Sequence, residues 1–560
     1  MLTILRPVFA DKITPPTPFS QSPSIDVVVP SNRTPHTRYA GSLALQEVWR
    51  RFQVGDLLQE TGIRYGQQSD RAPSMSFALT LGPLVGADSI RQTAYRFGGG
   101  TASSGDASSG DASSGDASSG DASSGDASSG DASSGDASDR VSAVELESDP
   151  LLSQMVSSAG SPRVLDEFAG TDRFDWSVFN QRRVEALQQV EEWSMRSDGI
   201  LILDDVPLPK PHAREMDYGK PIRDTCEKRT TYGYLAVHLY YHHRSRPGYS
   251  LGLRPWLKTS ELEGPLPSTT EKTGRRRAKE GEEKSRLDIG LEMIEEIDRQ
   301  DWPFEAVVMD SWYTARWLLW ELTKQGIAYV GEASETRKFR VGEGEEPLDL
   351  EQIWERYGAS MPPRDREALG YDPKEAVRRD RRIGSLRARA VDATMPGDQY
   401  TRVDQPVRLV LVKGLHEPRE KDEGRRVLVT NRRDWSVEKI LRLFSKRPTI
   451  EAVHRRGKQH ERRGKQHEGW LNFQTEGLQA LRCHLALCLL RGTLLRLLRA
   501  WSQAAAAYSV RELIEHWIQA VAIMQNAEKG RWTVALRRDH PAWTLLQAPR
   551  RSPPVYDNFM

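Results

Sequence analysis

The sequence predicts an α/β fold flanked by helical regions, and three observations carry that prediction. Two short apolar runs, Ile200-Leu-Ile-Leu and Phe304-Glu-Ala-Val-Val-Met, each end in carboxylates, at Asp204-Asp205 and at Asp310. Runs of this length suit strands buried on both faces. Between and after them, apolar residues recur at helical spacing. Further on, a basic segment at 444–458 carries a single acid, Glu451, among Lys446, Arg447, Arg455, Arg456 and Lys458.

Composition sets the broad class. A chain of 560 residues can hold several domains and a sizeable core. No stretch of about 18 apolar residues runs uninterrupted by charge, so no membrane partner is expected. The first residues lack the apolar core of a secretory signal. Cys226, Cys483 and Cys488 form neither a disulfide framework nor a Cys-x-x-Cys pair, which predicts a reducing, cytoplasmic setting. The net charge of +1 hides an asymmetry: residues 101–150 hold eleven acidic residues against one basic, Arg140. Residues 441–500 hold thirteen Lys and Arg against four Glu, a patch suited to a polyanion.

In order, residues 1–36 are rich in Pro, Ser and Thr and predict a disordered leader. Residues 37–100 predict a helical region, with Leu43, Leu45, Val48, Trp49 and Phe52 at helical spacing. Residues 102–136 are seven copies of Ala-Ser-Ser-Gly-Asp, within a low-complexity acidic linker at 101–140 that cannot bury a core. Helical periodicity resumes over 141–195, from Leu151 to Trp193.

The strand ending at Asp204-Asp205 is followed by strand-like runs at Tyr232–Tyr241 and Tyr249–Trp256. An amphipathic helix through Leu287, Leu291, Ile294 and Ile297 precedes the strand that ends at Asp310. A helix over 311–325 and a strand at 327–330 come next. Two further strand-like runs, Val407–Val412 and Arg426–Asn431, lead to a helix with Ser436 as N-cap. Another helix is expected over 509–525, with Ser509 and Glu512 as a capping box.

As one helix, residues 444–458 would bring Phe444, Arg447, Glu451 and Lys458 within roughly 60° of one another. A carboxylate held between cations stays ionised, which suits a metal ligand, and the spare cations suit phosphate. A solvated charged helix is the plain alternative.

The spacing resembles the Tyr-x2-Arg-x3-Glu-x6-Lys signature of bacterial insertion-sequence transposases with an Asp-Asp-Glu triad. Arg447, Glu451 and Lys458 match, and Phe444 stands where the family has Tyr. Met309-Asp310-Ser311-Trp312-Tyr313 and Leu201-Ile-Leu-Asp204-Asp205 are similar to the family's two aspartate motifs, in the right order. The element order also resembles the RNase H-like fold, in which the two aspartate-bearing strands are neighbours. The resemblance implies an RNase H-like catalytic domain over 196–335 and 436–500. It implies a β-rich insertion at 336–435 and, at Phe473–Leu487, the helix packed behind the active site; the helical signals outside it give helical N- and C-terminal regions, the latter at 501–560.

It further implies a DNA transposase with Asp205, Asp310 and Glu451 as catalytic metal ligands, Asp204 being the alternative to Asp205. Two divalent ions, Mg²⁺ or Mn²⁺, would sit about 4 Å apart, suited to hard oxygen ligands. Arg447, Lys458 and Phe444 would contact phosphates at the element's ends. Trp312 would stack on a displaced base, unless it is an ordinary core tryptophan. The partners implied are terminal inverted repeats, target DNA and a second copy in a synaptic dimer, in a bacterial, nucleoid-associated setting. A non-catalytic DNA-binding descendant and an RNase H-fold nuclease are the competing readings.

Arg455-Arg-Gly-Lys-Gln-His-Glu461 is repeated at once as 462–468. Seven residues are close to two helical turns, so the duplication would carry Lys465, a further DNA-binding candidate, onto the direction of Lys458. Gly457 and Gly464 would each cost about 1 kcal/mol in that helix. Pro448 would either destabilise the helix or begin a new one. With the pentapeptide expansion, these features predict a drifting copy with impaired activity.

Overall fold

The computed structural model describes residues 42–63, 71–85, 162–171, 173–210, 219–224, 229–257, 276–279, 284–365, 386–398, 401–414, 424–458 and 477–501. Short pieces at 25–26, 36–37, 92–94, 460–461, 465–466, 470, 512–514, 522–527 and 531–535 are also described. The acidic linker, the periodicity at 151–156, the start of the 473–487 helix and Ser509 lie outside these residues, as do the side chains of Lys458 and Lys465.

A nine-stranded sheet organises the chain. Its strands are β1 (Ile200–Pro209), β2 (Lys220–Asp224), β3 (Arg229–His242), β4 (Tyr249–Trp256), β5 (Ala306–Met309), β6 (Tyr329–Glu332), β7 (Arg387–Met395), β8 (Gln405–Lys413) and β9 (Arg425–Thr430). The order is β2-β3-β1-β5-β6-β9-β8-β7, with β4 also paired to β3. β1, β5 and β6 run parallel, and Leu203 lies opposite Met309. The apolar runs that end in aspartate are therefore neighbours, buried on both faces as parallel strands require. The strands of the 336–435 segment continue this sheet, through Leu428 opposite Glu332 on β6.

The helices are α1 (Ser42–Arg51), α2 (Val54–Glu60), α3 (Arg71–Leu81), α4 (Pro162–Gly170), α5 (Trp176–Gln188), α6 (Arg286–Arg299), α7 (Arg316–Lys324), α8 (Leu350–Tyr357), α9 (Val437–Phe444), α10 (Pro448–Lys458) and α11 (Leu478–Trp501). Local signals set several ends: Ser285 and Asp288 form a capping box on α6, and Ser436 caps α9 through the Lys439 amide. Most of α11 is buried, above all the Leu-rich run from Leu485 to Leu498. It packs on α1, α3, α4, α5 and β4. Its buried Arg491 donates to the carbonyls of Thr80 and Leu79, supplying acceptors at the end of α3 with a partner.

Three expectations change. The 444–458 segment is two helices, because Pro448 has no amide hydrogen to continue α9 and takes the first position of α10. The duplicated heptapeptide does not lengthen α10. His460 pairs with Gln466 and Glu461 with Lys465, antiparallel, and the Trp470 amide returns to the Gly457 carbonyl at 3.0 Å. His460–Glu461 and Lys465–Gln466 thus lie side by side instead of continuing the helix. Gly457 is required there, since a Cβ would lie 2.3 Å from the Trp470 ring. Finally, Ala522–Ala527 and Arg531–Ala535, inside the stretch expected to be helical, pair antiparallel. They join Ile25–Asp26 and His36–Thr37, from the expected leader and just beyond it, in a separate four-stranded sheet.

Candidate active site

In parallel sheets, ligands collect beyond the carboxyl ends of the strands. There β1 continues into Asp204 and β5 into Asp310, one step past the Leu203–Met309 pair. Successive side chains of a strand point to opposite faces. Leu203 lies under α6, close enough that a Cβ on Gly290 would meet it at 2.9 Å. Asp205 shares that face: its carboxylate accepts from Arg286, the first residue of α6, and from the Tyr313 hydroxyl. Asp204 turns to the other face, which α10 covers.

On that face one guanidinium gathers three carboxylates. Arg447 Nη2 stands 3.3 Å from Asp204 Oδ2 and 3.5 Å from Asp310 Oδ2, and its Nη1 is 2.7 Å from Glu451 Oε1. Burial works against the charged guanidinium, yet the carboxylates of Asp204, Asp310, Glu451 and Glu332 outweigh it and raise its pKa. Asp310 uses its other oxygen, Oδ1, to accept from the amides of Trp312 and Tyr313, at 3.0 and 3.3 Å. Those bonds fix its orientation at the turn after β5. Glu332 ends β6, the next parallel strand, and is paired with Arg426 at 3.1 Å.

The structure therefore brings Asp204, Asp310, Glu451 and Arg447 together, and sets Asp205 on the opposite face with Arg286. Phe444 is buried, 2% exposed, because it closes α9 before the Pro448 break. It presents no surface to a phosphate. Trp312 is 57% exposed, not a core residue, and the Arg286 guanidinium lies 4.2 Å from its ring centroid. Lys458 ends α10 and Lys465 lies in the short pairing beyond it. Sequence reasoning missed Arg286, Tyr313, Glu332 and a buried histidine pair, His238 and His454. The signal for the histidines was a polar residue within each buried stripe.

The donor set is all carboxylate oxygen, the chemistry that suits Mg²⁺ or Mn²⁺. Its oxygens already surround one cation. Among the described residues, no group of three His, Cys, Asp or Glu is drawn close enough to hold an ion as it stands. Arg447 must therefore leave for these oxygens to converge on a metal.

Residues 138–393 match the family model described as DDE superfamily endonuclease. The match includes Asp204, Asp205 and Asp310 and ends before Glu451. It supports a transposase or endonuclease of the DDE type, and nucleases of that superfamily typically use divalent metals. The mixed α/β architecture with its central sheet agrees with a DDE nuclease domain. No curated protein matches the chain. No described helix is long and apolar enough to cross a membrane.

Proposed function

We propose that the protein is a cut-and-paste DNA transposase of the insertion-sequence type, with an RNase H-like catalytic core. One observation carries this reading: three carboxylates from β1, the end of β5 and α10 converge on a single cation beyond adjacent parallel strands. The geometry favours Asp204 over Asp205 as the first ligand, because only Asp204 faces Glu451. Asp204, Asp310 and Glu451 would hold the divalent ions, which supply activation of the attacking oxygen and stabilisation of the leaving oxygen of a phosphodiester.

The chain's own residues do the rest. The amides of Trp312 and Tyr313 hold Asp310 in place. Arg447, once displaced from the carboxylates, is the cation nearest an incoming phosphate, and a guanidinium suits that contact. Trp312 offers an exposed ring beside the site on which a base can stack. The substrates would be the element's terminal repeats and target DNA, cut and then joined, with two copies in the synaptic complex of a bacterial cytoplasm.

A second reading, a DNA-binding descendant without catalysis, draws on Arg447 itself, which already stands among the three carboxylates. The test is strand cleavage of duplexes carrying the DNA that flanks this reading frame, with Mn²⁺ or Mg²⁺, in wild type and Glu451→Gln. Cleavage and joining lost only in the variant are expected. Cleavage without joining would point to a nuclease, and specific binding without cleavage in either protein to the descendant.

A further inference from the structure

Glu451 is the least anchored member of the cluster. Its side chain is 47% exposed, and its partner is Arg447, the residue just before α10 begins. Something else must fix α10 over the sheet.

One turn beyond Glu451 on α10, His454 is buried, and its Nε2 lies 2.9 Å from Nδ1 of His238. His238 is fully buried on β3, and its Nε2 lies 2.9 Å from the Ser250 hydroxyl on β4. In the β1–β3 pairing His238 stands directly opposite Asp204, so the two side chains share a face. The imidazole pair therefore joins the helix that carries Glu451 to the strand position beside Asp204. Trp470 closes it off, its ring centroid 5.6 Å from that of His238 and 6.1 Å from that of His454. A hydrogen bond in so dry a place is strong and directional, whereas Ile450 and Val453, also buried under α10, tolerate sliding.

We propose that His454, through its hydrogen bond to His238, is a positioning residue that sets Glu451 relative to Asp204. The inference rests on the reading of these carboxylates as the metal-binding triad. Arg447 cannot do this work during the reaction, since its contacts use the same oxygens. The histidine bond uses none of them and persists when the carboxylates change partners.

The test compares wild type, His454→Ala, His454→Gln and Ser250→Ala in the full chain. Mn²⁺ affinity is read by calorimetry without DNA, kcat and KM on the flanking-DNA duplex, and folding by thermal unfolding. His454→Ala is expected to weaken Mn²⁺ about tenfold and to lower kcat with KM for DNA unchanged. His454→Gln, whose amide can still hydrogen-bond His238, is expected to recover most of both. Ser250→Ala leaves the α10 contact in place but frees the His238 ring, and is expected to weaken Mn²⁺ about threefold. A lowered melting temperature with Mn²⁺ affinity unchanged in His454→Ala would make the pair merely structural. Should that variant not fold, unchanged Mn²⁺ affinity in Ser250→Ala overturns the proposal. A wild type that binds no Mn²⁺ and cleaves nothing removes the triad reading itself, whereas a normal wild type matched by every variant overturns only the positioning role.

Discussion

Asp204 and Asp205 are adjacent in the chain and stand in opposite surroundings. Each meets an arginine. On the Asp204 face, Arg447 also meets Asp310 and Glu451, so three acids share one cation. On the Asp205 face, Arg286 has one acid beside the fully buried Tyr313, and its flat side lies against the exposed Trp312. The first arrangement carries surplus negative charge and invites a second cation. The second is balanced and holds α6 to the sheet. A charge pair looks the same in a sequence whichever it is; the count of carboxylates around the cation separates a site from a strut.

The sharpest way to break this comparison is to neutralise each aspartate in turn. Asp204→Asn is expected to lower cleavage on the order of a thousandfold while the protein stays folded. Asp205→Asn is expected to cost about 2 kcal/mol in urea unfolding, since it leaves a half-buried Arg286 without its partner, and to leave cleavage per folded molecule much higher. If Asp205→Asn is the dead and stable variant, the assignment of the faces is reversed.

Removing the cations gives the next largest effect. Arg447→Ala leaves Asp204, Asp310 and Glu451 facing one another, and is expected to cost about 1–3 kcal/mol in the absence of metal. Millimolar Mn²⁺ should restore that loss, because an ion that binds only the folded state stabilises it in proportion to its occupancy. Arg286→Ala should lose a similar amount, with no recovery in Mn²⁺. Thermal unfolding of both variants with and without the ion checks this. Equal recovery would mean that the two faces do not differ as argued.

Much of the fold is legible in the sequence because its signals are local. The Ile200-Leu-Ile-Leu and Phe304–Met309 runs, the stripe through Leu287 and Ile297, and the Ser436 cap each announce their element within a few residues. The site is legible only in part. Alternation places Asp204 and Asp205 on opposite faces, but which face α10 covers is decided by packing between distant parts of the chain, as the Arg447–Asp204 pair at a separation of 243 illustrates. Phe444 follows the signature spacing, yet Pro448 resets the helix and sends its ring into the core. His238 and His454 are 216 residues apart, and nothing local links them. Ala522–Ala527, expected to be helical, pairs instead with Arg531–Ala535, rich in β-favouring Trp, Thr and Val.

Trp312 tests the Asp205 face from its solvent side. Since its ring is 57% exposed, Trp312→Ala should change stability by less than about 0.5 kcal/mol. A loss of about 1–3 kcal/mol in affinity for the flanking duplex, read by fluorescence anisotropy, is expected if a base stacks there. Stability lost instead of affinity would return Trp312 to a packing role and make this face a strut throughout.

The smallest effect separates the faces by pH. Burial, aided by the charges of Arg496 and Arg183, pushes the pKa of His238 down from 6.5 to about 3. The groups against it are His454, Ser250 and the rings of Tyr240 and Trp470. Between those two values the unfolded chain binds a proton that the folded one refuses. Stability from this group is therefore complete above pH 6.5 and falls as the pH drops toward 3. From pH 6.5 to 5.5 this group's share of the loss should be about 1 kcal/mol in urea unfolding, and His238→Gln should remove that share while leaving the share of His242, whose pKa burial lowers to about 4. On the Asp205 face nothing comparable titrates, since burial raises the Tyr313 phenol well above its usual range and Arg286 stays charged. The window from 5.5 to 6.5 lies above the ordinary carboxylate range, so the part of an acid sensitivity seen there that His238→Gln removes belongs to the Asp204 face alone.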